Sequence, residues 1–233
     1  MPVSPPAVAV GRGGDGGGFN RPVAADYGGR LRRARLGMAV ALTPILMLFV
    51  AFTSAYIVRQ GLPVLDDRSG TYVRDWMAVS LPIGILLVNT ALLVISSVSM
   101  EMARRHIAKQ VALAGIGRIP GVVLGDERAF PWLGTTAGLG LAFLGGQSIA
   151  WRELAHRGFY LATTPSSSFV YLLTVSHAVH LAGGLAALLY AVAMSALGKS
   201  IESRLIVVDT TAWYWHFMAA LWIYIFVLLQ VAR

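Results

Sequence analysis

Cysteine is absent from the 233 residues, which excludes disulfides, thiolate metal sites and cysteine nucleophiles. Charge is scarce too. Only 13% of the residues are Asp, Glu, Lys or Arg, against 56% hydrophobic, whereas a soluble domain carries roughly 25% charged residues. The mean hydropathy is +0.66. The deficit of charge is too large to be explained by an ordinary buried core, and composition places the chain among integral membrane proteins. The motifs of hydrolytic enzymes are missing, with no G-x-S-x-G elbow and no H-E-x-x-H pair. The long apolar runs contain no acidic residue, so the usual coupling group of a proton pump or ion-driven carrier is lacking. No repeat relates the two halves, as a small transporter would show. The net charge of +8 sits beside apolar runs rather than in a groove, which argues against nucleic acid as a partner.

What is present is a set of long charge-free runs, at residues 36–58, 76–100, 129–151, 158–198 and 210–232. A bilayer crossing takes about 20 helical residues, so each is long enough to span. The fourth is too long for one helix. Its front part, "LATTPSSS" at 161–168, reads as a loop because of Pro165 and the serine cluster, which leaves a helix over 169–197. The expectation is an all-α protein of five transmembrane helices, forming one domain over residues 30–233. Residues 1–29, rich in Gly and Pro, read as a disordered tail. The tail lacks a signal peptide's apolar core and cleavage site, so the first span is expected to direct insertion. Thirteen of the 19 Lys and Arg fall on the side that holds the tail, the second-to-third connection and the fourth-to-fifth. The positive-inside rule then puts the N-terminus inside and the C-terminus outside.

Polar residues inside spans are costly and need partners. Asn89 lies mid-span, with Ser96, Ser97 and Ser99 further along. Gln147 lies deep in the third span, where Trp132 and Trp151 bracket the run and Gly134 and Gly138 form a small-xxx-small pattern. Glu101 and Arg105, one turn apart, read as a surface pair worth little. His177 and His180 are three apart on one helical face, and His216 follows Trp213, Tyr214 and Trp215 in "WYWHFMAALW". Two histidines at that spacing suit a metal only with further ligands, and no carboxylate is expected within a span to supply one. A haem held by His180 and His216 is an alternative. The preferred reading makes Asn89, Gln147, His177, His180, Trp215 and His216 an interhelical hydrogen-bonding set, with no catalytic and no metal residue. Arg35, Arg104 and Arg105 are placed to meet anionic lipid headgroups on the inside.

In order, the segments "RLGMAVALTPILMLFVAFTSAYIV", "LPIGILLVNTALLVISSVSMEMARR", "LGLAFLGGQSIAW", "YLLTVSHAVHLAGGLAALLY" and "WYWHFMAALWIYIFVLL" resemble subunit III of the haem–copper cytochrome c oxidases. The resemblance runs from about Leu36 to Gln230. Its most specific parts are the Asn-Thr followed by paired serines, the Gly-Gln before Trp151, the His-x-x-His-x-x-Gly-Gly and the Tyr-Trp-His-Phe. Members of that family usually have seven spans, with a lipid-filled cleft between the first two and the rest. This chain resembles a five-span form.

The resemblance implies a subunit without its own catalytic centre in a proton-translocating oxidase, binding no cofactor while haem and copper reside in partner subunits. It implies packing against subunits I and II, possible membership of a respiratory supercomplex, structural phospholipid, and a multi-pass place in a bacterial-type cytoplasmic membrane. The alternatives within reach are an accessory protein of a nitric oxide reductase and the haem-carrying electron-transfer protein. Three acids of the family pattern are replaced here, at Ile45, Ala150 and Ala219. Roles that rest on those acids do not carry over, whereas helix packing does, since a neutral replacement removes a desolvation cost.

Overall fold

The computed structural model describes residues 24–65, 70–73, 76–77, 79–114, 130–161, 163–197 and 201–231. Five helices account for almost all of them: α1 (Ala24–Gly61), α2 (Ile83–Ala114), α3 (Phe130–His156), α4 (Pro165–Ala196) and α5 (Ile201–Val231). Between α1 and α2 lies a short antiparallel hairpin, β1 (Val64–Leu65) and β2 (Tyr72–Val73), which the all-helical expectation did not include. The tail up to residue 23 and the basic connection at 115–129 lie outside the described residues.

Four helices, α1, α2, α3 and α5, run past at least one end of the charge-free run that announced them. α5 begins nine residues before Thr210 and α2 continues fourteen beyond Met100. Charges end an apolar run without ending a helix when a partner one turn away offsets them, as Glu101 does for Arg104 and Arg105. α1 starts at Ala24, inside the stretch expected as a tail. At the second span the difference is reversed. Trp76 stands outside the helix, which starts only at Ile83, after Leu81-Pro82, because a proline disfavours helical backbone in the residue before it. The expected loop at 161–168 is half wrong. Pro165, Ser166, Ser167 and Ser168 form the first turn of α4, capped by Thr164, whose side chain accepts from the Ser167 amide while Ser167 answers the Thr164 amide. Pro at the first helical position and hydroxyls around it are start signals as much as breaker signals.

Four helices close a ring in which α2 touches α3, α3 touches α4, α4 touches α5 and α5 returns to α2. α1 lies outside, against α4 and α5. Among the described residues four helices are long and apolar enough to cross a membrane, namely α1, α2, α4 and α5, so the chain is a multi-pass membrane protein built of helices apart from the short hairpin. α3 is diluted by glycine, threonine, serine and Gln147. It runs antiparallel to α2 nonetheless, with Ser99 bonding the Trp132 carbonyl, Ser96 the Thr136 carbonyl and Asn89 the side chain of Gln147.

In lipid, helices gain no hydrophobic energy by meeting, so close packing and interhelical hydrogen bonds hold them. Glycines permit both. Gly140 leaves room for the Trp215 indole, 2.8 Å from where a β-carbon would stand, and Gly184 does the same for Tyr214. At Gly146 a β-carbon would overlap the side-chain oxygen of Asn89. The Gly134 and Gly138 pair, expected to seat a neighbouring helix, faces away from the described residues, as does Gly145. Adjacent glycines on opposite faces give a matched test. Gly146→Ala should destabilise the detergent-solubilised chain by roughly 1–3 kcal/mol through overpacking, while Gly145→Ala should stay within about 0.5 kcal/mol of wild type. Equal melting shifts for the two would refute this packing.

Candidate functional site

The polar side chains of the bundle fall into two layers. The interior layer joins the ring helices. Asn89 and Gln147 are both buried, and the Asn89 amide nitrogen lies 3.4 Å from the Gln147 carbonyl oxygen, a long and therefore weak bond. The Trp215 indole N–H donates to Ser96 Oγ at 3.0 Å, and that hydroxyl donates to the Thr136 carbonyl at 3.1 Å, so one chain of bonds links α5, α2 and α3. Trp222 donates to Thr90 in the same manner. Trp151 donates to Thr174, joining α3 to α4. Tyr214 donates to the His180 carbonyl, joining α5 to α4.

The histidines differ from the expected hydrogen-bonding set. His177 is fully buried, with its ring against Phe143 and Trp222 at centroid distances of 5.9 and 5.2 Å. Neither of its ring nitrogens has a hydrogen-bond partner among the described residues. It is an aromatic packing piece, so its expected role is corrected here. His180 spends Nδ1 on its own helix, 2.7 Å from the Ser176 carbonyl, which requires that nitrogen to carry the proton. Its ring meets Phe49 of α1 edge-on. His216 turns the other way, toward α2, where Nδ1 meets Ser97 Oγ and Nε2 stands 3.6 Å from Glu101. The rings of His180 and His216 thus address different helices and do not converge on one ligand position.

The second layer is ionic, and it was the part missed. Asp209 was expected just outside the fifth span, and no carboxylate was expected within any. Asp209 lies within α5 and is only 2% exposed. Arg35 of α1 grips it with two bonds, Nε to Oδ2 at 2.8 Å and Nη2 to Oδ1 at 3.0 Å. Arg104 of α2 reaches the same carboxylate at 3.4 Å while holding Glu101 with two bonds of 2.8 Å. Arg105 adds a 2.7 Å bond to Glu101, so the expected surface pair belongs to a network that also borders His216. Trp213 lies beneath the Arg35 guanidinium, 5.9 Å from ring centre to carbon. The spacing of Arg35 and Asp209, 174 residues apart, carries no sequence signal. An acid one turn ahead of the aromatic run, with an arginine at the start of the first span, was the available hint.

Three carboxylate-paired guanidiniums and a histidine at one end of a membrane bundle can hold helices in register, and their outward edges can meet an anion. Among the described residues no group of three or more His, Cys, Asp or Glu is placed to hold a metal. Above the ionic layer, α1 and α5 part slightly and leave a cleft of about 300 Å³ lined by Leu46, Phe49, Val50, Phe217, Ala220, Leu221 and Tyr224.

No family model matches the chain. Individual proteins do. A probable cytochrome c oxidase subunit 3 of Nocardia farcinica is 24% identical over 198 residues, 85% of this chain and 87% of that protein. A probable quinol oxidase subunit 3 of Staphylococcus saprophyticus is 25% identical over 195 residues, 82% of this chain and 85% of that protein. The cytochrome c oxidase subunit 3 of Triticum aestivum is 26% identical over 193 residues, 83% of this chain and 66% of that protein.

The two kinds of interior polar group make opposite predictions. Trp215→Phe, which removes the indole N–H that donates to Ser96, should lower stability by about 0.6–2 kcal/mol, the range for membrane interhelical bonds. His177→Leu removes an unpartnered buried group and should leave thermal stability in detergent unchanged or raised. A clear loss for His177→Leu would show that the ring has a partner in the assembled protein.

Proposed function

We propose that this chain, which belongs to the subunit 3 family of cytochrome c and quinol oxidases, serves as a subunit III without its own catalytic centre in a terminal oxidase. Similarity along more than four-fifths of the chain to proteins named as subunit 3 carries this reading. Relatives named for cytochrome c and for quinol both match, so the role proposed is the one common to both. As such a subunit it belongs to a multi-subunit oxidase complex. Its partners in this proposal are subunits I and II, which hold the haem and copper, and it supports aerobic electron transport and proton uptake without a cofactor of its own.

Five spans with the N-terminus inside is the topology we propose. The antiparallel bonds of α3 to α2 support a full crossing by α3, since 27 residues at about 1.5 Å each reach roughly 40 Å. Burial of α3's polar groups against α2 offsets the low apolarity of its sequence. The membrane is then the bacterial-type cytoplasmic membrane, with the ionic layer at its inner side.

Structural phospholipid fits the same picture. The apolar cleft between α1 and α5 opens sideways, and the arginines lie toward its inner end. All three arginines carry carboxylate partners, and Arg105, with 66% of its side chain exposed against 42% for Arg35 and 31% for Arg104, is the most open of them to a headgroup.

The test is isolation of the oxidase in mild detergent from the organism that makes this chain. Subunits I and II should co-purify with it, and an active oxidase consistently lacking it would refute the assignment. His216→Leu, which removes the partner of Ser97, should lower the yield of assembled complex while complexes that do assemble keep their turnover. Normal yield with lost turnover would contradict a packing role.

A further inference from the structure

We propose that α1 is a hinged strap, anchored at its outer half, latched at its inner half by Arg35 on Asp209, and bending at Pro44 when the latch opens. The inference stands apart from the oxidase assignment and rests on how unevenly α1 is held.

The outer half is packed. Phe49, Thr53 and Tyr56 are buried. The Thr53 hydroxyl accepts from Tyr224 at 3.0 Å, and Tyr56 sits edge-on to Trp76 and Phe169. Along the inner half the pattern stops. From residue 28 to residue 48 no side chain of α1 is fully buried, the facing stripe of Leu31, Ala34, Met38, Leu42 and Ile45 being only half-buried. The strongest hold of this half on α5 is Arg35, with its two-bond pair to Asp209 and its guanidinium over Trp213. At the inner edge of the anchor, beside Leu46, Phe49 and Val50, the helices leave the 300 Å³ cleft.

Pro44 lies between the two. A proline within a helix donates no hydrogen bond to the carbonyl four residues back and crowds it, so that turn bends most easily. Thr43 beside it bonds back to the Ala39 carbonyl, a further local softening.

The chemistry of the latch suits release. Asp209 has a second guanidinium within reach, that of Arg104 at 3.4 Å, itself held by Glu101 with His216 adjacent. When Arg35 leaves, the buried carboxylate is therefore not stranded, and Arg35, 42% exposed at its side chain, moves toward water. Opening would widen the cleft and uncover the inner segment of α5 around Asp209 and Trp213 to the side. The strap would thus regulate lateral access to that face.

The cysteine-free chain allows paired spin labels to test this in the full chain in lipid nanodiscs. An inner pair, Arg32→Cys with Lys109→Cys, reports the latch, and an outer pair, Val58→Cys with Tyr160→Cys, reports the anchor. Arg32 is twelve residues from Pro44, a lever of about 18 Å, so an added kink of roughly 20° moves it by about 6 Å. With the latch intact both pairs should give one narrow separation. Arg35→Gln, which leaves Asp209 with Arg104, should shift or broaden the inner distribution by about that amount and leave the outer one unchanged. Asp209→Asn should do the same from the other side of the pair. Pro44→Ala added to Arg35→Gln should narrow the inner distribution again. An inner separation unmoved in both latch variants overturns the proposal. Joint broadening of both pairs overturns it too, since that would be loosening of the whole bundle. Broadening that Pro44→Ala leaves untouched removes the hinge.

Discussion

One buried carboxylate sets the geometry of the inner end of this bundle. A charge at the depth of Asp209 is tolerable only with good hydrogen-bonded partners, and the partners come from two other helices. That requirement fixes how far α1 and α2 slide along α5, because a shift of one residue, about 1.5 Å, would break bonds of 2.8 and 3.0 Å. Neutral contacts tolerate such slippage far better. The apolar packing above the layer therefore inherits its register from an ionic contact, and Trp215 meets Ser96, and Trp222 meets Thr90, in step with it.

Much of the architecture was legible from the chain alone. Five apolar stretches became five helices, and Asn89, Gln147 and Trp215 each meet a polar side chain of another helix, as expected where a polar group in lipid has little choice but to find a partner. The helix ends were not legible, since a charge terminates an apolar run whether or not it is paired, and pairing depends on residues three or four away or on another helix. For the same reason the ionic layer stayed hidden. Arg35 and Asp209 each looked like the edge of a span, and only the fold brings the two edges together. His177 failed for a different reason. A histidine carries both a ring and two polar nitrogens, and sequence does not tell which of these the surroundings will use. Here Phe143 and Trp222 use the ring.

The glycines sort in the same way. "GLGLAFLGG" contains four within nine residues, and two of them admit side chains of other helices while two do not. Those that do, Gly140 and Gly146, are where the large groups of α5 and α2 need depth. Small-residue spacing therefore indicates that a close approach is possible on some face, and the position of the bulky partner decides which. Ala150 and Ala219, where the family resemblance implies acids, are both buried in this chain, and Ala150 lines a small recess together with Gln147 and Thr174.

The place of α1 outside the ring has a consequence for how the protein is made. α1 is made before the other four described helices, yet the two it touches, α4 and α5, are the last of the five. Arg35 waits 174 residues for its partner. Until then the first helix must reside in the bilayer on its own apolarity, with a guanidinium at its edge held by water and headgroups. Its sequence suits that interval, for its most apolar stretch has the highest hydropathy of the four spanning candidates and the smallest share buried in the finished protein. The earliest of the five described helices is thus the one that depends least on company, and the contact of Arg35 with Asp209 joins the earliest of the five to the latest.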